Sequence, residues 1–257
     1  MARVLFPLPD RDFDTTEVAV PWKLLCEAGH ACVFATENGD VPACDPLLLT
    51  GVVLGKLGAR ADAIELYREL ERAPEFTTPL RWAACRADAF DALFLAGGHA
   101  PGMRQYLGSE PVQQLVADFF ATDKPIAAIC HGVLVAARAK RPDGSSVLAG
   151  VRTTCLPKYM ERAAFLSTFW RRGRYYRTYP KYVEDEVRES GCTFERGPRV
   201  LSKRGTRDDD THAFVVEDGR YVSARWPGDA YLIAKKLIER LGARANAARD
   251  PSRRASP

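Results

Sequence analysis

The stretch Pro125-Ile126-Ala127-Ala128-Ile129-Cys130-His131-Gly132 decides how this chain is read. Its apolar run Ile126–Ile129 marks a buried strand, and a thiol and an imidazole stand at its end on a tight turn. Ala128 lies two residues before the thiol and Gly132 two after it. Small residues are needed at both places when a nucleophile is carried on a sharp strand-to-helix elbow, because the two backbone segments approach too closely for larger side chains. The run Val133-Leu134-Val135-Ala136-Ala137-Arg138 then opens a helix. The positive end of that helix favours the thiolate, so the thiol pKa is expected to be lowered. An isolated Cys-His pair is more often a buried structural cysteine beside a capping histidine. The elbow spacing turns the reading toward a nucleophile.

Outward from the elbow, strand-like and helix-like segments alternate, the pattern of an α/β fold with a mainly parallel sheet. Val4–Leu8, Ala31–Ala35 and Ala92–Ala96 read as core strands. Val18–Ala28, Pro111–Ala121 and Val133–Ala139 read as helices, the first closed by Gly29. Residues 40–88 look like an insertion between the second strand and the next core strand, with a helix at Ala61–Arg72. Beyond Gly150 come a strand (Val151–Cys155), a helix through Phe169, an aromatic and basic loop, and a helix from Val183 to Glu189. A hairpin follows, Phe214–Val216 and Tyr221–Ala224 around Glu217-Asp218-Gly219, and Ala230–Leu241 closes the fold. One domain over 1–241 with a disordered tail over 242–257 is expected.

Composition narrows the function classes. The 257 residues carry a net charge of +4, and four arginines against one aspartate in the tail account for most of it. The cluster Arg171-Arg172-Gly173-Arg174-Tyr175-Tyr176-Arg177 interleaves cations with aromatics, but arginines lying over tyrosines explain it better than a nucleic-acid face. No apolar run reaches the roughly 20 residues that cross a bilayer, and Met1–Pro7 is too soon broken by proline for a signal peptide. Seven cysteines with no C-x-x-C pair argue against a disulfide framework or zinc ribbon and for a reducing cytoplasm. The run Asp208-Asp209-Asp210-Thr211-His212 reads as a solvated loop rather than a metal site. Gly51–Leu57 imitates a phosphate loop but is one residue short and lacks the hydroxyl after Lys56.

A cysteine nucleophile needs a base, donors for a developing oxyanion and a group that orients the base. Cys130 and the Gly97-Gly98-His99 turn both follow core strands, where open α/β sheets bind ligands. The backbone N–H groups of Gly98 and His131 are candidates for the oxyanion site. Glu161 is the candidate carboxylate to orient His131. Glu17, after Thr15-Thr16, opens onto the same sheet edge, although a first-turn carboxylate favoured by the helix dipole would look the same.

Together these segments resemble the ThiJ/PfpI superfamily. The resemblance rests on Glu17-Val18-Ala19-Val20-Pro21, Ala35-Thr36-Glu37-Asn38-Gly39, Phe94-Leu95-Ala96-Gly97-Gly98-His99, Ala128-Ile129-Cys130-His131-Gly132 and the late sheet edge Tyr221–Trp226. It implies a flavodoxin-like three-layer sandwich, an elbow nucleophile at Cys130 and a carboxylate at Glu17 touching its sulfur. The insertion and His99 resemble the larger-subunit branch, which includes stress chaperones with glutathione-independent glyoxalase activity. In that branch the acid of the triad follows a Gly-x-x-x-Thr strand, as Glu161 follows Gly150-Val151-Arg152-Thr153-Thr154. The chain departs from the pattern at Ala100-Pro101-Gly102-Met103 and in its bulky basic loop Trp170–Tyr179. Both border the expected pocket, which makes His99 and Trp170 expected pocket residues.

The resemblance implies chemistry on a small 2-oxoaldehyde without metal or organic cofactor, and relatives that often pair as dimers. Cys130 would form a hemithioacetal, Glu17 or His131 would move a proton through an enediol, and water would release a 2-hydroxy acid. A carboxylate beside a part-buried thiol is expected to have a raised pKa, which suits that shuttle. The same thiol could instead serve an amidase or peptidase, or a chaperone or redox sensor oxidised at Cys130. Glutaminase chemistry of the fold's amidotransferases is excluded, because His212 is followed by Ala213-Phe214 and lacks the His-x-Glu pair.

Overall fold

The computed structural model describes residues 1–200 and 202–249, the last three through their backbone alone. Its strands are β1 (Arg3–Pro7), β2 (Arg11–Phe13), β3 (Ala31–Thr36), β4 (Ala43–Cys44), β5 (Leu80–Arg81), β6 (Ala92–Leu95), β7 (Ile126–Ile129), β8 (Arg152–Thr153), β9 (Thr193–Phe194), β10 (Val215–Asp218) and β11 (Tyr221–Ala224). The helices are α1 (Thr15–Glu27), α2 (Pro46–Thr50), α3 (Ala61–Leu70), α4 (Pro74–Thr77), α5 (Met103–Leu107), α6 (Glu110–Phe120), α7 (Val133–Arg138), α8 (Lys158–Arg172), α9 (Val183–Glu189) and α10 (Ala230–Arg249).

Seven strands form the central sheet in the order β10-β11-β7-β6-β1-β3-β5. All neighbours are parallel except the β10–β11 hairpin. Every residue of β6 and β7 is buried, as strands covered on both faces must be. Helices α1, α3 and α10 pack together on the sheet, and α5, α6, α7 and α9 form a second group around α7. The result is the expected α/β sandwich of helices flanking a mainly parallel sheet. Phe6 stacks on Phe94 with ring centroids 4.8 Å apart across adjacent strands, and Phe34 and Phe76 extend this aromatic core.

The 40–88 segment lies between β3 and β6, where it adds β5 to the sheet edge beside β3 and Tyr67 and Phe76 to the main core. Three expectations change. The strand expected at Val151–Cys155 shrinks to β8 and pairs with β9 in a separate two-stranded sheet. In the hairpin, β10 continues to Asp218, which leaves Gly219-Arg220 as the turn. The closing helix passes Leu241 and runs to Arg249, so 242–249 are helical where a structureless tail was expected. The alanine- and arginine-rich run favours helix, and Arg244 reaches Asp123 at 3.2 Å. Residues 250–257 of that expected tail lie outside the described residues.

Candidate active site

The elbow forms as its sequence requires. Cys130 sits at φ 58°, in the left-handed region that an L residue occupies only under strain. A side chain at Gly132 would place its Cβ 2.3 Å from the carbonyl oxygen of Leu95, so glycine is obligatory there. A Cβ at Gly97 would lie 2.9 Å from that of Cys130 and 2.7 Å from Glu17 Oε2. Gly97 is therefore the glycine that lets the β6 end close on Cys130. Gly98, one residue on, takes φ 151° and packs against Asp12 and Asp14 backbone.

Glu17 is fully buried in the first turn of α1. Asp14 caps that helix by accepting the N–H groups of Thr16 at 2.8 Å and Glu17 at 3.1 Å. Glu17 Oε2 accepts the Gly97 N–H at 2.8 Å, and the carboxyl lies against the Cys130 sulfur. Burial and the neighbouring Asp14 push the Glu17 carboxyl well above the usual range, while burial raises Asp14 to about 6. The raised Glu17 agrees in direction with the sequence expectation. The Cys130 thiol goes the other way from expectation: burial, then Glu17 and Asp14, push it up. Only the His131 backbone N–H opposes them, and complete desolvation outweighs the end of a six-residue helix.

His131 Nδ1 stands 3.5 Å from Cys130 Sγ. Its Nε2 meets Thr178 Oγ1 at 3.2 Å, and that hydroxyl donates to the backbone oxygen of His99 at 2.7 Å. A threonine hydroxyl has one proton. With that proton on His99 O, the oxygen can only accept from His131, which places the imidazole proton on Nε2 and leaves the Nδ1 lone pair facing the thiol. Burial, with His99 and Arg138 nearby, depresses His131 to about 3 and keeps it neutral.

The orienting bond thus belongs to Thr178 and not to Glu161. Glu161 Oε2 accepts the Val183 N–H at 3.0 Å, and its Oε1 lies 3.5 Å from Arg177 Nε. Burial raises its carboxyl to about 7. Sequence reasoning searched for an acid and passed over Thr178, whose only signal was its place in the unusual basic loop. Cys130, His99, Glu161, Tyr159, Arg204 and Trp226 line one cavity of about 380 Å³. His99 stacks on Tyr176 at 4.3 Å, so that expectation matches the geometry. Trp170 is 61% exposed and its Nε1 donates to Ser167 O. It lies nearly one turn beyond Ser167, the last α8 residue of the cavity wall, and is not itself part of that wall.

A wider groove of about 1020 Å³ lies beside Lys140, Arg141 and Arg220, and neither cysteine nor histidine lines it. Among the described residues no group of three or more His, Cys, Asp or Glu could hold a metal ion. No helix among them is long and apolar enough to cross a membrane.

The family model described as ThiJ/PfpI family-like matches residues 8–190. The chain belongs to this family. It is 26% identical to a deglycase of Pyrococcus abyssi, PYRAB04690, across 93% of this chain and 99% of the relative. It is 25% identical to the glutathione-independent glyoxalase hsp3101 of Schizosaccharomyces pombe, across 87% of this chain and 84% of that one. The solved structure of glyoxalase III from Candida albicans superposes with a TM-score of 0.66 at 18% identity, covering 93% of this chain and 97% of its own. Within the ThiJ/PfpI fold, Cys130 and His131 occupy the end of β7, and the chain's Thr178 comes from the loop after α8.

Proposed function

We propose that this ThiJ/PfpI protein is a cysteine-dependent enzyme acting on small reactive carbonyls, converting a 2-oxoaldehyde to a 2-hydroxy acid. The observation that carries it is the neutral His131, its Nδ1 lone pair 3.5 Å from a buried thiol beside the Glu17 carboxyl. The relatives named glyoxalase and deglycase support the same chemistry.

In this reading Cys130 rests as a thiol and Glu17 as a carboxylic acid. As the sulfur attacks the aldehyde carbon, its proton passes to His131 Nδ1, and the S–C bond forms as the carbonyl π pair moves to oxygen. The amides of Gly98 and His131 receive that oxyanion, which regains the proton as the hemithioacetal. His131 then takes the C1 proton to give the enediol, and the proton returns at C2 to leave a thioester on Cys130. Water cleaves the thioester, releasing the 2-hydroxy acid and the thiol. General base catalysis of this kind is worth about 10²–10⁴-fold. Thr178 keeps the imidazole in the useful tautomer, and Glu161 holds Arg177 and the start of α9 rather than His131. The deglycase relatives favour a second reading, in which the same thiol removes a carbonyl compound already joined to an amine.

Purified protein is expected to convert methylglyoxal to lactate, and Cys130→Ser to abolish the conversion. A panel of aldehydes, amides and esters decides: an acyl-enzyme on Cys130 from amides or esters, with no 2-oxoaldehyde turned over, overturns the reading.

A further inference from the structure

Three charged side chains of the Cys130 cavity are Asp14, Glu161 and Arg204, and their occupations differ. Asp14 caps α1, and Glu161 holds the Val183 N–H beside Arg177. Arg204 has neither a hydrogen-bond acceptor nor a carboxylate within ion-pair distance among the described residues. The guanidinium of this part-buried arginine lies 5.0 Å from the centre of the Trp226 ring, and the Trp226 Nε1–H in the same wall is buried without an acceptor. Asp14 is near enough to feel the charge of Arg204, but its Oδ1 already serves two backbone amides.

A guanidinium offers five N–H donors in a planar fork that fits a carboxylate. Stacking on an indole fixes the plane of the fork and leaves its edge available. A cation partly withdrawn from water with no acceptor costs free energy, and a bound anion offsets that cost. The cavity volume of about 380 Å³ suits a compound of a few carbons. A neutral 2-oxoaldehyde would leave the fork unmet.

We infer that Arg204 is a carboxylate anchor, and that the preferred substrates of Cys130 are small carbonyl compounds that also carry a carboxylate. The inference rests on Cys130 being the reacting group of this cavity. It selects among carbonyl substrates and names Arg204 as the residue that selects.

Alkylation of Cys130 tests this without requiring turnover. Iodoacetate and iodoacetamide are similar in size and differ in charge; in both, the sulfur forms an S–C bond and iodide leaves. Rates are measured against 2-mercaptoethanol as a neutral free thiol. The wild type is expected to prefer iodoacetate by about tenfold over the free-thiol ratio, the size of one charge-assisted hydrogen bond. Its rate should saturate with iodoacetate, and lactate should protect Cys130 against iodoacetamide. Arg204→Gln should lose the preference and the protection, and Arg204→Lys should keep part of both. A wild-type ratio equal to that of the free thiol, or an unchanged ratio in Arg204→Gln, overturns the anchor. If Arg204→Gln does not fold, the wild-type ratio and Arg204→Lys decide. Selectivity for iodoacetate with no carbonyl turned over would leave the anchor standing and remove the enzyme reading.

Discussion

On one side of the cavity, Cys130, His131, Gly97 and Glu17 hang from the ends of β6 and β7 and the first turn of α1. On the other, Glu161, Arg177, Thr178 and Arg204 come from α8 and the loops that follow it. The sheet side is held by steric necessity: a Cβ at Gly132 would meet Leu95 O at 2.3 Å, and Cys130 is locked in a left-handed conformation. The helical side is held by polar side chains, through Thr178 to His131 and Glu161 to the Val183 N–H. One side thus holds the Cys130 sulfur at fixed coordinates, while the other fixes the proton of His131 and, under the proposal above, sets the choice of ligand through Arg204. Errors on the first side should damage the fold; errors on the second should change chemistry with the fold intact.

The largest expected effect breaks the sheet side. Gly132→Ala should lower unfolding stability by about 3 kcal/mol, because backbone oxygens cannot move aside for the new methyl. Chemical denaturation checks it, and a stability equal to the wild type would show that the elbow is looser than the geometry requires. Thr178→Val sharpens the other side. It keeps the shape but removes the acceptor for His131 Nε2–H, so kcat should fall about tenfold with little change in KM. Nitrogen NMR should show the Nε2–H tautomer weakened in this variant. In the wild type the His131 ring should stay neutral down to about pH 4, since burial holds its pKa at about 3.

Glu161→Gln separates an orienting acid from a loop support. With Thr178 as the orienting group, kcat should stay within about threefold of the wild type. Its signature is instead in stability. The folded value of about 7 exceeds the ordinary 4.5, so the contribution is complete below about pH 4.5 and is lost as pH rises through about 7. Thermal melts of the wild type should show that decline, and Glu161→Gln should lack it. A large loss of kcat would return the carboxylate to the catalytic group. The smallest effect is expected at Trp170→Ala, which should leave KM and kcat unchanged, because the indole is 61% exposed and outside the cavity wall.

How much of this was legible in the chain follows the same division. Ile126–Gly132, Gly97-Gly98 and Thr15–Glu17 are contiguous strings whose periodicity and small residues report their own geometry. The insertion was visible as a break in pattern, but its gift of Tyr67 and Phe76 to the core was not. Trp170 misled because α8 runs on past Phe169 to Arg172 and carries the indole about a turn beyond Ser167, where the cavity wall ends.

The elbow, the core strands beside it and the placing of Cys130 at its apex are local consequences of sequence: period, small residues and turns act over a few positions. The partner of His131, the occupation of Glu161 and the unmet Arg204 are decided only when residues 30 to 73 positions beyond His131 fold back over the sheet edge. The thiol's raised pKa belongs to the same level. A helix dipole can be read from the chain, whereas burial among Glu17 and Asp14 exists only once the chain has closed around them.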